Sequence, residues 1–154
     1  MLNNDEKWMR IAFEEAELAA MEGEVPVGAV IVRGDELIAR AHNRCEQDRD
    51  ATAHAELLAI RAACAAIGSW RLEDCTLYVT LEPCSMSTGA LINARMQRVV
   101  FAAKDARAGA MGSLVNLPAY PLQVRPDCTV GVLQDEAQAL LRHFFDNLRQ
   151  TKKQ

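Results

Sequence analysis

Apolar residues recur at helical spacing over residues 5–21. Trp8, Ile11, Ala12, Ala16 and Ala19 share one face, with Glu14 and Glu17 on the other. The pattern predicts an amphipathic helix capped by Asn3 or Asn4. Glu24-Val-Pro-Val-Gly28 breaks it. Two β-type runs follow, Val27–Val32 and Leu37–Ala41, and their junction at Gly34-Asp35 predicts a hairpin. Residues 43–53 are polar and irregular. His54–Ile67 is then apolar nearly all round apart from Glu56 and Arg61, the pattern of a helix buried inside a domain, and Gly68 stops it.

Further along, Leu77–Thr80 and Arg98–Ala103 are β-type runs and residues 84–95 are helical in pattern. A fifth strand is expected near Thr129–Val132. Leu133, Ala137, Leu140, Leu141, Phe144, Phe145 and Leu148 stand at helical spacing and predict a long last helix packed on the sheet. Strands that alternate with helices after an opening hairpin imply an α/β domain in three layers with a mixed sheet. One such domain is expected over residues 1–154, ending in a short basic tail, residues 149–154.

Composition narrows the class. A chain of 154 residues, half apolar and a quarter charged, has the size and make-up of a globular domain. The amino-terminal residues carry neither a basic nor an apolar leader pattern, and no apolar stretch reaches the length of a membrane span. A soluble, unexported, cytoplasmic protein with no membrane partner is therefore expected. Five cysteines at uneven spacing argue for reduced thiols or metal ligation over a disulfide framework. The net charge of −4 gives no bulk signal for nucleic acid. Residues 1–24 carry seven acids and two bases, whereas the stretch from Arg98 onward carries eight bases and five acids. That asymmetry is compatible with an RNA-binding face, although on charge alone the solvated faces of helices without a partner fit it better.

The candidate chemistry sits at two expected helix starts, His54-Ala-Glu56 and Pro83-Cys84-Ser-Met-Ser87. Zinc catalysis needs fixed nitrogen or sulfur ligands and an open position for water. A helix N-terminus carries partial positive charge, which favours the cysteine thiolate that binds metal. Residue 87 lies one turn beyond Cys84 on the same helix face. Glu56 suits a general base beside the metal. Taken singly, His-x-Glu is a common helix start and a lone cysteine is commonly a small core residue. Their conjunction carries the argument.

His-x-Glu followed by Pro-Cys-x-x-Cys is the signature described for zinc-dependent nucleobase deaminases, and here a serine stands in place of its second cysteine. The chain resembles the bacterial tRNA-specific adenosine deaminases of the cytidine-deaminase-like superfamily. The resemblance runs through Glu24–Val30, His42-Asn43, Thr52–Glu56, Trp70–Leu72, Thr76–Cys84, Arg98–Phe101, Lys104-Asp105, Gly112–Leu114 and Phe144-Phe145. It implies a five-stranded α/β/α fold, a Zn2+ cofactor and a homodimer whose partner is a tRNA anticodon stem-loop. The implied reaction converts adenosine to inosine at the wobble position. Glu56 is then the catalytic acid–base, and His54, Cys84 and position 87 are metal ligands. Asn43 contacts the base, and Asp105 belongs to the nucleotide-binding loop. Arg149, Lys152 and Lys153 are placed to meet phosphates.

Two departures bear on what is carried over. Ser87 offers a neutral hydroxyl where a thiolate is the preferred soft donor. Residues 117–126 hold three prolines where relatives usually carry an Asn-His pair. For the missing ligand the sequence leaves three outcomes: a weakened site, a recruited cysteine, or no metal. Cys75 lies roughly 17 Å along its strand from the site, and Cys64 roughly 15 Å along its helix. Cys128 has no route to the site, so Cys45 is the candidate substitute. Deamination of a free base or nucleoside, and RNA binding without catalysis, are the competing functions.

Overall fold

The computed structural model describes residues 3–152. Helix α1 spans Asn4–Met21, and the Asn3 side chain accepts the Glu6 amide at 2.8 Å as the expected cap. Strands β1 (Gly28–Arg33) and β2 (Glu36–His42) form the antiparallel hairpin. A short helix α2 (Cys45–Asp48) then leads to α3 (Ala55–Ile67), β3 (Cys75–Leu81), α4 (Ser85–Asn93) and β4 (Arg98–Ala103). After a 3-10 turn at Leu117–Ala119 come β5 (Asp127–Val130) and α5 (Gln134–Lys152). The strand order is β2-β1-β3-β4-β5, with β1 antiparallel to both neighbours and β3, β4 and β5 mutually parallel. The expected five-stranded mixed sheet in three layers is what forms.

Period-two alternation sorts the strand residues between the layers. Ala29 and Ile31 of β1 face the layer of α3 and α4, where they pack with Ala59 and Leu91. Val30 and Val32 face the other way, onto Trp8, Met9 and Phe13 of α1. Helix α1 lies directly on β1. A Cβ at position 28 would come within 1.9 Å of the Ala12 carbonyl oxygen, so only glycine allows this approach.

Four expectations are corrected. The fifth strand lies at Asp127–Val130, two residues earlier than its pattern suggested, because Gly131 (φ 94°) and Leu133 (φ 60°) turn the chain before α5. Helix α3 is buried on one face only: Ala62, Ala65 and Ala66 are exposed, since alanine is apolar enough to look like core and small enough to face water. Residues 43–53 hold a helical turn, α2, because its cap is a distant carboxylate (described below). Helix α5 packs on the sheet only through its first turns, where Ala137 is buried. Its second half runs past the end of α1, so Phe144 and Leu148 border a groove with Ala20 and Met21, and Phe145 and Leu148 are partly exposed. Among the described residues no helix is long and apolar enough to cross a membrane.

Candidate active site

The site lies at the carboxyl ends of β3 and β4, where the two parallel strands hand over to loops and helix starts. His54 is the N-cap of α3 and Cys84 the N-cap of α4, both with extended backbone and neither making a side-chain cap bond. The uncapped amides of two helices therefore aim partial positive charge at the same place. His54 Nδ1 stands 3.5 Å from Cys84 Sγ, and Ser87 Oγ is 3.7 Å from that sulfur. Ser87 is fully buried behind the two, one turn into α4.

The electrostatics follow from this packing. Burial pushes the Cys84 thiol up, but its contacts with His54 and Ser87 outweigh burial and bring it down to about 7. The same Cys84 contact raises His54 above its ordinary value, against burial and with help from Glu56. Burial raises the Glu56 carboxyl, opposed by its own backbone amide, His54 and Ser87. Such a carboxyl holds a proton more readily than an exposed one, which suits it to general acid–base chemistry.

A cavity of about 190 Å³ opens over these groups. It is lined by His54, Ala55, Glu56 and Cys84, by Val25, Val27 and Asn43, and by Leu81, Glu82, Asp105 and Ala108. The Asn43 carboxamide donates to the Val25 carbonyl and accepts from the Cys45 amide, each at 3.3 Å. Asp105 turns its carboxylate onto its own loop, accepting the Arg107 and Ala108 amides at 3.0 and 3.2 Å.

The structure thus brings together His54, Glu56, Cys84, Ser87, Asn43 and Asp105. Cys45 does not join them. Its thiol points to the Ala51 carbonyl at 4.0 Å, and burial, Glu24 and Asp50 push its pKa up. It is no substitute ligand. Cys64, Cys75 and Cys128 also stand outside the cavity, each with a raised pKa, up to about 11 for Cys75 and Cys128. Arg149 and Lys152 are exposed on the last turns of α5, where Arg149 pairs with Asp146. The tail is thus helical as far as Lys152, and Lys153 lies outside the described residues.

Two buried carboxylates that shape the walls had no role in the sequence reading. Glu24 accepts the Glu46 and Gln47 amides at 3.0 and 2.7 Å, which caps α2 beneath Asn43. Glu82 accepts amides from Asp105, Met111 and Ser113 across the other wall. The available signal was a carboxylate inside an apolar stretch next to proline, Leu81-Glu82-Pro83.

The donor set was tested against zinc. Tetrahedral zinc, with bonds of about 2.0 Å to nitrogen and about 2.3 Å to sulfur, holds two such donors about 3.5 Å apart. The His54–Cys84 separation matches, and the Ser87 oxygen lies 3.7 Å from the same sulfur. Among the described residues no three His, Cys, Asp or Glu side chains converge on a metal position.

Comparison with known proteins agrees with this geometry. The family described as MafB19-like deaminase matches residues 3–149, so the chain is a deaminase by class. The tRNA-specific adenosine deaminase of Bacillus subtilis is 46% identical over 99% of this chain and 95% of its own. That of Aquifex aeolicus is 45% identical over 94% and 95%. A solved structure from work on A-to-I editing by tRNA:A34 deaminases superposes with a TM-score of 0.86 at 41% identity, covering 88% of this chain and 99% of that one. Guanine deaminase from Nitrosomonas europaea superposes with a TM-score of 0.78 at 29% identity over 94% and 86%. The chain belongs to the family of tRNA-specific adenosine deaminases.

Proposed function

We propose that this chain, as one deaminase domain, hydrolyses adenosine to inosine at the wobble position of a tRNA anticodon, in the cytoplasm. The observation that carries the reading is the meeting of His54, Cys84 and Glu56 at two uncapped helix starts under one cavity. The relatives of nearly equal length support the tRNA substrate over a free base.

In this reading His54 and Cys84 hold Zn2+, with Ser87 as a weak oxygen donor at the third position. The chemistry supplied by zinc when bound is the acidification of a water, which makes a nucleophile available near neutral pH. Glu56 takes the proton from the attacking water and passes it to the ring nitrogen of adenine as the oxygen bonds to C6. It then takes the proton of the new C6 hydroxyl and gives it to the exocyclic amine, which leaves as ammonia while C6 becomes the inosine carbonyl. Because the carboxyl is buried, it passes these protons without competition from bulk water.

A cavity of about 190 Å³ is below the usual range for drug-sized ligands, roughly 300–1,000 Å³. It suits one splayed base. An anticodon loop, already partly unstacked, gives up a base at less cost than a duplex does. Asn43 contacts that base, Asp105 shapes the loop beside it, and the cations Arg149, Lys152 and Lys153 meet the stem phosphates. The outer side of α4, where Met86, Gly89 and Ala90 are half-buried, is the face for a second copy.

The test is inosine formation on an anticodon stem-loop, with zinc content measured on the same sample. Inosine formed in proportion to bound zinc supports the reading. Turnover of free guanine or cytidine in place of the stem-loop favours the free-base alternative, and RNA binding without turnover at full zinc occupancy favours a non-catalytic role.

A further inference from the structure

Glu82 follows the last residue of β3, directly ahead of Pro83 and Cys84, and it is almost fully buried. Buried carboxylates are costly unless every acceptor site is used. Here they are. Oε1 accepts the Asp105 amide at 3.1 Å and the Ser113 hydroxyl, and Oε2 accepts the Met111 and Ser113 amides at 3.0 and 3.1 Å. A carboxylate has about four acceptor positions, so none remains for a ligand in the cavity beside it. All four donors come from the loop that leaves β4.

That loop is one wall of the cavity. It is drawn against the strand at two further points, with Ala110 donating to the Pro83 carbonyl at 2.8 Å and Gly109 bridging to Cys84. Gly109 fits only because it has no side chain: a Cβ there would lie 2.3 Å from the Glu82 carboxyl carbon. The distance between Asp105 and Ala108 on one side and Cys84 on the other is therefore set by the Glu82 carboxylate together with the backbone contacts of Gly109 and Ala110.

We propose that Glu82 is a positioning residue of the deamination site, whose carboxylate fixes the loop of residues 104–113 at the spacing that admits the splayed base. The inference rests on the cavity being the base pocket, as read above. Glu82 borders the cavity, but both its carboxylate oxygens are taken by the loop's donors. Its effect passes through Asp105 and Ala108. Loosening the loop then weakens capture of the substrate more than it slows the chemistry at Glu56.

The test compares Glu82→Gln and Ser113→Ala with the parent, in steady-state kinetics on an anticodon stem-loop, in zinc content and in backbone amide exchange. Glu82→Gln sets an NH2 group against the loop's N–H donors. The expected result is a KM about tenfold higher or more, with kcat within about threefold and zinc content unchanged. The Asp105, Met111 and Ser113 amides should lose protection. Ser113→Ala, which removes one donor and cannot overfill the site, should move KM the same way by less. Lost protection with an unchanged KM overturns the proposal, as does a kcat that falls in step with zinc content, for then Glu82 only supports the metal site. If Glu82→Gln does not fold, an unchanged KM in Ser113→Ala overturns it. A parent protein that forms no inosine refutes the functional reading alone, and amide exchange still decides whether Glu82 holds the loop.

Discussion

The Ser87 hydroxyl lies 3.7 Å from the Cys84 sulfur, fully buried one turn along the same helix. It stands at the sequence position where the deaminase signature has a second cysteine. A neutral hydroxyl binds zinc far more weakly than a thiolate, so the site should hold metal through His54 and Cys84 with reduced affinity. Ser87→Cys should raise both zinc occupancy and inosine formation by about an order of magnitude or more. Elemental analysis and an inosine assay on one preparation decide this. A variant that gains neither places the ligand elsewhere. Because the Cys45 thiol faces Ala51, Cys45→Ser should leave zinc content as it was.

Glu56→Ala should abolish deamination and spare both the fold and RNA binding. The carboxyl is buried at the first turn of α3 against His54, and its loss removes the group that moves protons between water, ring and amine. Loss of a general acid–base costs about 10²–10⁴-fold in rate. Single-turnover kinetics at saturating enzyme isolate that step. Parental turnover in the variant would show that another group moves the proton.

The elements whose pattern is local were legible in the sequence. The spacing of Trp8, Ala12, Ala16 and Ala19 reports the buried face of α1, and the alternation in β1 reports which residues meet which helix layer. His54, Glu56, Cys84 and Ser87 were legible because short spacings on two helix starts suffice to place them. Glu24 and Glu82 were not, because their partners lie 22 to 31 residues away in loops without periodicity. The same limit applies to α2, whose cap is Glu24 rather than a neighbouring residue. Helix α5 misled for a different reason. Its apolar stripe is real, but in its second half it borders the end of α1 instead of the sheet, and a stripe does not name its partner.

The end of α5 makes a prediction about salt. Arg149 and Lys152 project from a continuing helix, and Arg149 is paired with Asp146 at the surface, a contact that water and salt screen. If they meet the stem phosphates, Arg149→Ala and Lys152→Ala together should lower the slope of log K against log salt by about 1–2 and weaken tRNA binding uniformly across sequences. Binding measured over a salt series reads the slope. An unchanged slope means that the cations face solvent only.

Stability should depend on pH through Asp5. Its carboxylate accepts both terminal nitrogens of Arg98, at 2.9 and 2.8 Å, and the Tyr78 hydroxyl at 2.8 Å, tying the first turn of α1 to β3 and β4. The Arg98 guanidinium, against the opposing effect of burial and with the help of Tyr78, holds this carboxyl below its ordinary value of 3.8. A group whose pKa is depressed by folding stabilises the fold fully above its unfolded pKa and loses that contribution as pH falls through the lower folded value. Asp5→Asn should therefore cost about 1–2 kcal/mol near neutral pH, allowing for the partial exposure of the pair. For a chain of this length that is roughly 2–8 °C in Tm. The difference should hold from neutrality down to about pH 4 and shrink below it, where the parent's own carboxyl protonates. Thermal unfolding of both proteins from pH 7 to pH 3 measures the gap, and one that stays constant into the acid range would show that Asp5 contributes through packing and not through its charge.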